Sequence, residues 1–155
     1  RLPPDSGMSA YAAALLLHVL GATVWTGGHL VLALGVLPGA LRERSIVAVE
    51  AFEARFERVG IPALLIQVAT GLYLALTLAP PSTWLALDNP VTRAIVIKLG
   101  LLAATVALAA HARLRVIPHL TADNLGTLAW HIIAVTLISV AFVVVGVGYR
   151  VGLLA

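Results

Sequence analysis

Four long apolar runs take up most of this chain of 155 residues. They cover approximately residues 10–37, 59–79, 93–112 and 125–149. A helix needs about 20 apolar residues to cross roughly 30 Å of hydrocarbon, and unpaired backbone groups exclude irregular spanning structures from lipid. The sequence therefore predicts an all-α fold, an integral membrane four-helix bundle with up-down topology that occupies residues 1–155 as a single domain.

The composition narrows the classes of partner and ligand. The chain is 61% hydrophobic and 11% charged, and its basic residues lie at the ends of the apolar runs rather than in one patch. This pattern indicates lipid as the partner and excludes nucleic-acid binding. With no Cys and a single Met, thiolate and thioether metal sites are excluded, so histidine is the main candidate ligand.

Proline, glycine and charge define the ends of the runs. Pro38 and Gly39 are expected to end the first helix, the APPS stretch at residues 79–82 the second, and Asn89-Pro90 is expected to open the third. The connection at residues 42–58 alternates charged with apolar side chains. It is predicted to be an extension of the second helix or an amphipathic segment at the interface.

The positive charges predict an orientation. Four arginines in the 42–58 connection, together with Arg113 and Arg115 after the third run, outnumber the positive charges on the other side. Loops rich in arginine and lysine face the cytoplasm. We therefore expect a multi-pass protein of the cell membrane, plasma or inner, with both termini extracytoplasmic.

A polar face runs along the first apolar stretch. Spacings of three and four place these residues on one side of a helix: His18, Gly21, Ala22, Trp25, Gly28, His29 and Leu32. His18 and His29 lie about 16 Å apart at roughly 1.5 Å per residue, so one metal ion does not bind both. The small residues between them are expected to let a neighbouring helix or a flat ligand come close.

The ionisable residues within the runs form two predicted layers. His29 and His131 fall at one level in the half assigned to the cytoplasm, with His111 on the same side and closer to the interface. His18 and Lys98 fall together in the outer half. An ionisable group in the membrane is costly and points to a functional site, while interhelical hydrogen bonding is the structural alternative.

Haem fits this arrangement, because helix bundles bind haem in their core through histidines on facing helices. His29 and His131 are the first choice for a bis-histidine pair, with His111 as a replacement for either. His18 and Lys98 are the candidates for a second haem, provided that burial deprotonates the lysine amine. The sequence thus predicts a membrane cytochrome b with one or two haems b, carrying electrons between a quinone or other membrane donor and an acceptor.

Three stretches resemble the copper resistance protein D (CopD) domain family: LHVLGATVWTGGHLVLALGVLPGAL at residues 17–41, VATGLYLAL at residues 68–76, and IKLGLLAATVALAAHARLRVIPHL at residues 97–120. That family shows a histidine followed by Trp-x-Gly-Gly in its first helix. A later helix has a Lys-Leu start and a basic exit that ends in proline. The resemblance implies a four-helix scaffold and suggests copper.

His18, Trp25, Lys98 and Leu99 are also similar to the HemJ-type membrane protoporphyrinogen oxidase family. That family is a four-helix protein reported to hold haem b, in which the matching histidine and lysine are important. The resemblance implies a haem-capable scaffold with His18 and Lys98 as its matched polar positions. The final helix departs from the family, since it ends VGVGYRVGLLA and lacks the acidic and proline motifs.

Three functions therefore stay open at this point. Copper transport or resistance is the alternative to the cytochrome; copper(II) accepts imidazole, whereas copper(I) normally uses Met or Cys, and the chain has Met8 alone. Porphyrinogen oxidation would make the protein a membrane oxidoreductase. A redox partner protein and a homo-oligomer are further candidates.

Overall fold

The computed structural model describes residues 9–152 and contains four long helices. They are α1 (Ala10–Glu43), α2 (Val47–Leu78), α3 (Pro90–His119) and α4 (Leu125–Gly148). Each helix is long and apolar enough to cross a membrane, and residues 9–152 contain no strand. The all-α four-helix bundle is therefore confirmed.

The helices pack as two hairpins. Helix α1 lies along α2 and also against α4, and α3 lies against α4. The connections within the two hairpins lie at the same end of the bundle, where Arg44 donates to Asp123 over 2.7 Å. The main hydrophobic core is at this end and draws on all four helices: Leu32, Leu37, Ala40, Val49, Val116, Leu125, Leu128, Ala129 and Ile132.

Several predicted helix ends are confirmed. Helix α2 ends at Leu78, next to the two prolines. Helix α3 starts at Pro90, where the side-chain oxygen of Asn89 accepts the Val91 N–H at 2.8 Å. Helix α4 ends at Gly148, one residue before the predicted end of the fourth run.

The prediction that Pro38 ends the first helix is wrong. A π-helical turn at Leu32–Val36 precedes it, in which the N–H of Leu37 donates to the carbonyl five residues back. This wider turn accommodates a ring that lacks an N–H and would clash with the carbonyl four residues earlier. The helix therefore continues to Glu43. Helix α3 has the same turn at Ala112–Val116 and runs beyond the predicted end at residue 112.

The second helix starts about three turns before the predicted residue 59. Helix α1 ends where Arg44 adopts a φ of 51° in the left-handed region, and α2 begins at Val47. The charged connection is thus an extension of the second helix. A helix of 32 residues is about 48 Å long, so its charged first turns extend beyond roughly 30 Å of hydrocarbon.

Glycines on α1 allow α2 to approach closely, as the small-residue face predicted. A methyl group at Gly21 would lie 2.8 Å from the carbonyl oxygen of Ala63 on α2. One at Gly28 would overlap the ring of Phe56. That ring has little freedom to move, because it also lies against Gly60 and edge-on to His29.

We expect Gly28→Ala to lower the free energy of unfolding by about 1–3 kcal/mol, the usual cost of overfilling a packed contact. Gly27→Ala is the matched control, since a methyl group there meets nothing within 4 Å. The control should be neutral or stabilising by up to about 1 kcal/mol through helix propensity. Thermal unfolding in detergent measures both variants. Equal stability of the two would contradict the close approach of Phe56 to Gly28.

Candidate functional site

The structure brings two of the predicted ligands into direct contact. His111 is the last residue of α3 before its π-helical turn, and His131 lies in the second turn of α4. His111 Nδ1 is 2.8 Å from His131 Nε2. The ring planes differ by 7° and the centroids are 5.0 Å apart. This centroid distance is close to the distance between the two nitrogens plus the distance from each nitrogen to the centre of its own ring. The rings therefore lie end to end in nearly one plane, joined by a linear hydrogen bond.

The direction of this hydrogen bond follows from a third group. His131 Nδ1 is 2.8 Å from the backbone carbonyl of Thr127, and a carbonyl only accepts. Nδ1 of His131 therefore carries the proton, and in the neutral ring Nε2 is the acceptor. His111 Nδ1 donates to it. In the neutral pair, the lone pair on His111 Nε2 has no partner among these groups and is free for a ligand.

His29 lies in a different environment. Its Nδ1–H donates to the Trp25 carbonyl at 2.9 Å, its ring lies 4.4 Å from that of Trp25 between centroids, and Phe56 approaches it edge-on. The Thr136 hydroxyl of α4 lies 3.3 Å from the His29 carbonyl, so the backbone of His29 contacts α4. The pairing of His29 with His131 at one haem iron stays a prediction.

His18 connects the first two helices. Its Nδ1–H donates to the Gln67 carbonyl of α2 at 2.8 Å, with the Thr70 hydroxyl 3.4 Å away. Gly71 makes room for the ring, because a methyl group there would lie 2.8 Å from His18 Cε1. The Nε2 lone pair of His18 is again the free one.

Lys98 lies half-buried on α3, against α4. A methyl group at Gly146 would be 3.2 Å from its ammonium nitrogen. His18 and Lys98 thus each lie opposite a glycine of the following helix.

The sequence reasoning missed the groups that orient these side chains. Thr127 and Trp25 accept from histidines four residues later on their own helices, a spacing that the sequence displays. The contact of His18 with the Gln67 carbonyl, and the opposition of Gly71 and Gly146 to His18 and Lys98, need the folded hairpins. Within residues 9–152 no group of three or more His, Cys, Asp or Glu residues is placed to hold a metal ion.

The family model described as Copper resistance protein D matches residues 50–148. The chain belongs to the CopD family. No curated protein and no solved structure matches it. The matched segment includes Lys98, His111 and His131 but neither His18 nor His29. The contacting histidine pair therefore lies within the region that defines this family membership.

We expect ¹⁵N spectra of the imidazole rings to show His111 and His131 as neutral Nδ1–H tautomers at a pH where both rings are neutral. The Thr127 carbonyl fixes the proton of His131, and that ring fixes the proton of His111. In His111→Ala, the His131 Nε2 resonance should shift while its Nδ1–H is retained. An Nε2–H tautomer at His111 would contradict the chain of hydrogen bonds. His119, in the short helical turn before α4, provides an internal reference.

Proposed function

We propose that this membrane protein binds copper as part of copper resistance or transport, with His111 Nε2 as the ligand. The observation that carries the proposal is the His111–His131 hydrogen bond, which lies inside the CopD-matched segment. Metal-binding histidines commonly donate their second ring N–H to an acceptor that fixes the tautomer and the ring orientation. His131 supplies that acceptor to His111.

The donor set fits copper(II) better than a dedicated copper(I) path. Imidazole is a good copper(II) ligand, whereas thiolate and thioether ligands select copper(I). The chain has no Cys, and Met8 lies outside the described residues. One imidazole nitrogen does not complete a coordination shell, so the proposal assigns the remaining positions to water or to a second copy of the chain. In this proposal copper is the ion that the protein transports or sequesters, and it is not a resident cofactor.

Haem b is the second candidate, and His18 and Lys98 favour it. His18 is fixed through Nδ1 with Nε2 free, and Lys98 lies opposite Gly146; these are the two positions that resemble the HemJ-type family. In this candidate the protein is a membrane cytochrome b, or an oxidoreductase acting on a porphyrinogen, with a quinone or redox partner protein exchanging electrons. Copper ranks above it because the family membership points to copper.

The decisive measurement is copper retained by detergent-purified protein after equilibrium dialysis against copper(II). Wild-type protein should retain stoichiometric copper. His111→Ala should lose it, and His131→Ala should bind about 10–100-fold more weakly, because it removes only the orienting group. His119→Ala is the matched control and should bind normally. Unchanged copper affinity in His111→Ala would reject the assignment.

The same samples separate copper from haem. Iron by metal analysis, with sharp reduced α and Soret bands and a positive pyridine haemochrome, would favour haem b. Retention of these bands in His111→Ala and their loss in His18→Ala would assign the haem to the layer of His18 and Lys98. Colourless protein that retains copper would exclude haem as the resident group.

We propose that residues 1–155 form one domain in the cell membrane, with both hairpin connections in the cytoplasm. Arginines are concentrated at this end, and such loops stay on the cytoplasmic side. Because the chain has no Cys, single cysteines report orientation directly. In intact cells, an impermeant maleimide should label Ser82→Cys in the α2–α3 connection and leave Asp123→Cys unlabelled. The reverse pattern would invert the proposed topology.

A further inference from the structure

An open apolar groove runs along the outer side of the α1–α2 hairpin. Its volume is about 350 Å³, within the range of sites for small molecules. The two backbones meet at its floor, since a methyl group at Gly21 would lie 2.8 Å from the Ala63 carbonyl oxygen. Larger side chains form the walls, and most of them are exposed on the surface that faces lipid: Leu17, Leu20, Val24, Val59, Pro62 and Ile66.

Arg58 lines one end of this groove and is the charged member of its lining. The salt bridges within residues 9–152 are Arg44–Asp123 and Arg113–Glu57, and neither includes Arg58. Positions three and four residues away along a helix are the neighbours on its surface, and around Arg58 they hold no acidic side chain. The guanidinium is therefore available to an anion from outside the chain.

The depth of Arg58 matches the depth of lipid phosphates. Residues 59–78, which complete α2, include no charged side chain. A helix of this length is about 30 Å long, which equals the thickness of the hydrocarbon layer. Arg58 therefore lies at the boundary between hydrocarbon and headgroups.

The groove extends from this boundary toward the centre of the bilayer. On α2 its lining runs from Arg58 to Ile66, which is about 12 Å along the helix axis. One leaflet contributes about 15 Å of hydrocarbon. The groove thus has the direction and nearly the length of one acyl chain, with a cation at the end where such a chain joins its phosphate.

We propose that this groove binds an anionic phospholipid, whose phosphate contacts Arg58 and whose acyl chain lies over Gly21 and Ala63. The planar fork of donors on arginine suits a phosphate group. A zwitterionic lipid carries its own positive charge beside the phosphate, so it gains less from the guanidinium. In the orientation proposed above, the site lies in the cytoplasmic leaflet, which carries anionic lipid. The site is separate from the His111–His131 pair and does not depend on copper binding.

The test is native mass spectrometry of protein extracted in detergent from vesicles with equal amounts of phosphatidylglycerol and phosphatidylcholine, both with the same acyl chains. Each wild-type chain should retain one phosphatidylglycerol in preference to phosphatidylcholine. Equal retention of the two lipids would overturn the role of the charge. A dimer without lipid would overturn the proposal in favour of a second copy of the chain in the groove. Displacement of the lipid by inorganic phosphate would overturn the acyl-chain contact.

Arg58→Gln tests the phosphate contact. It should weaken phosphatidylglycerol binding about fivefold, the contribution of one basic residue beside anionic lipid, and leave phosphatidylcholine binding unchanged. Arg55→Gln is the matched control, because Arg55 is also exposed, lies three residues earlier on α2 and does not line the groove. Equal effects of the two substitutions would overturn a local contact at Arg58.

Leu20→Trp tests the acyl-chain contact, because the larger side chain fills the groove from its wall. Retention of phosphatidylglycerol should be lost. Val19→Trp is the matched control and should retain the lipid, since Val19 and Leu20 are 52% and 53% exposed and Leu20 alone of the two lines the groove. Undiminished lipid retention in Leu20→Trp would overturn the groove as the binding site.

Discussion

The requirement that backbone groups in lipid find hydrogen-bond partners governs this structure. It makes the apolar runs helical, and it determines how the prolines are accommodated. At Pro38 and Pro118 the missing N–H and the bulk of the ring are absorbed by π-helical turns. Helix α1 therefore continues past Pro38 to Glu43, and the core can form at that end of the bundle.

The same requirement for hydrogen-bond partners determines the tautomers of the histidines in the membrane-spanning helices. Nδ1 of His18, His29 and His131 lies within hydrogen-bonding distance of a backbone carbonyl. A carbonyl takes only a donated proton, so the protein itself selects one tautomer for these rings. Nε2 becomes the acceptor nitrogen in all three. In His131 this nitrogen accepts the Nδ1–H of His111. The free Nε2 of the pair therefore belongs to His111.

The sequence predicted the helices well and their ends less well. Length and apolar content alone were enough for the four spans, because lipid leaves few alternatives. Pro38 was wrongly predicted to end α1, since proline rules assume a helix that cannot widen. The charged start of α2 was left open between a helix extension and an interfacial segment, because hydropathy does not identify the part of a helix that lies in water. For the site, depth grouped His111 with His131 on one side and His18 with Lys98 on the other. Direct contact between His111 and His131 depends on how α3 and α4 are rotated about their axes. The depth of a residue along its helix does not specify that rotation.

The composition of the main core has a consequence for biosynthesis. Four of its nine buried residues belong to the first two turns of α4, which is made after the other three helices: Leu125, Leu128, Ala129 and Ile132. While the ribosome is still synthesising α3, the α1–α2 hairpin is held by the close approach at Gly21 and Gly28 and by the hydrogen bond from His18 to the Gln67 carbonyl. Until α4 is made, this apolar cluster therefore lacks four of its nine members. Docking of α4 completes the cluster.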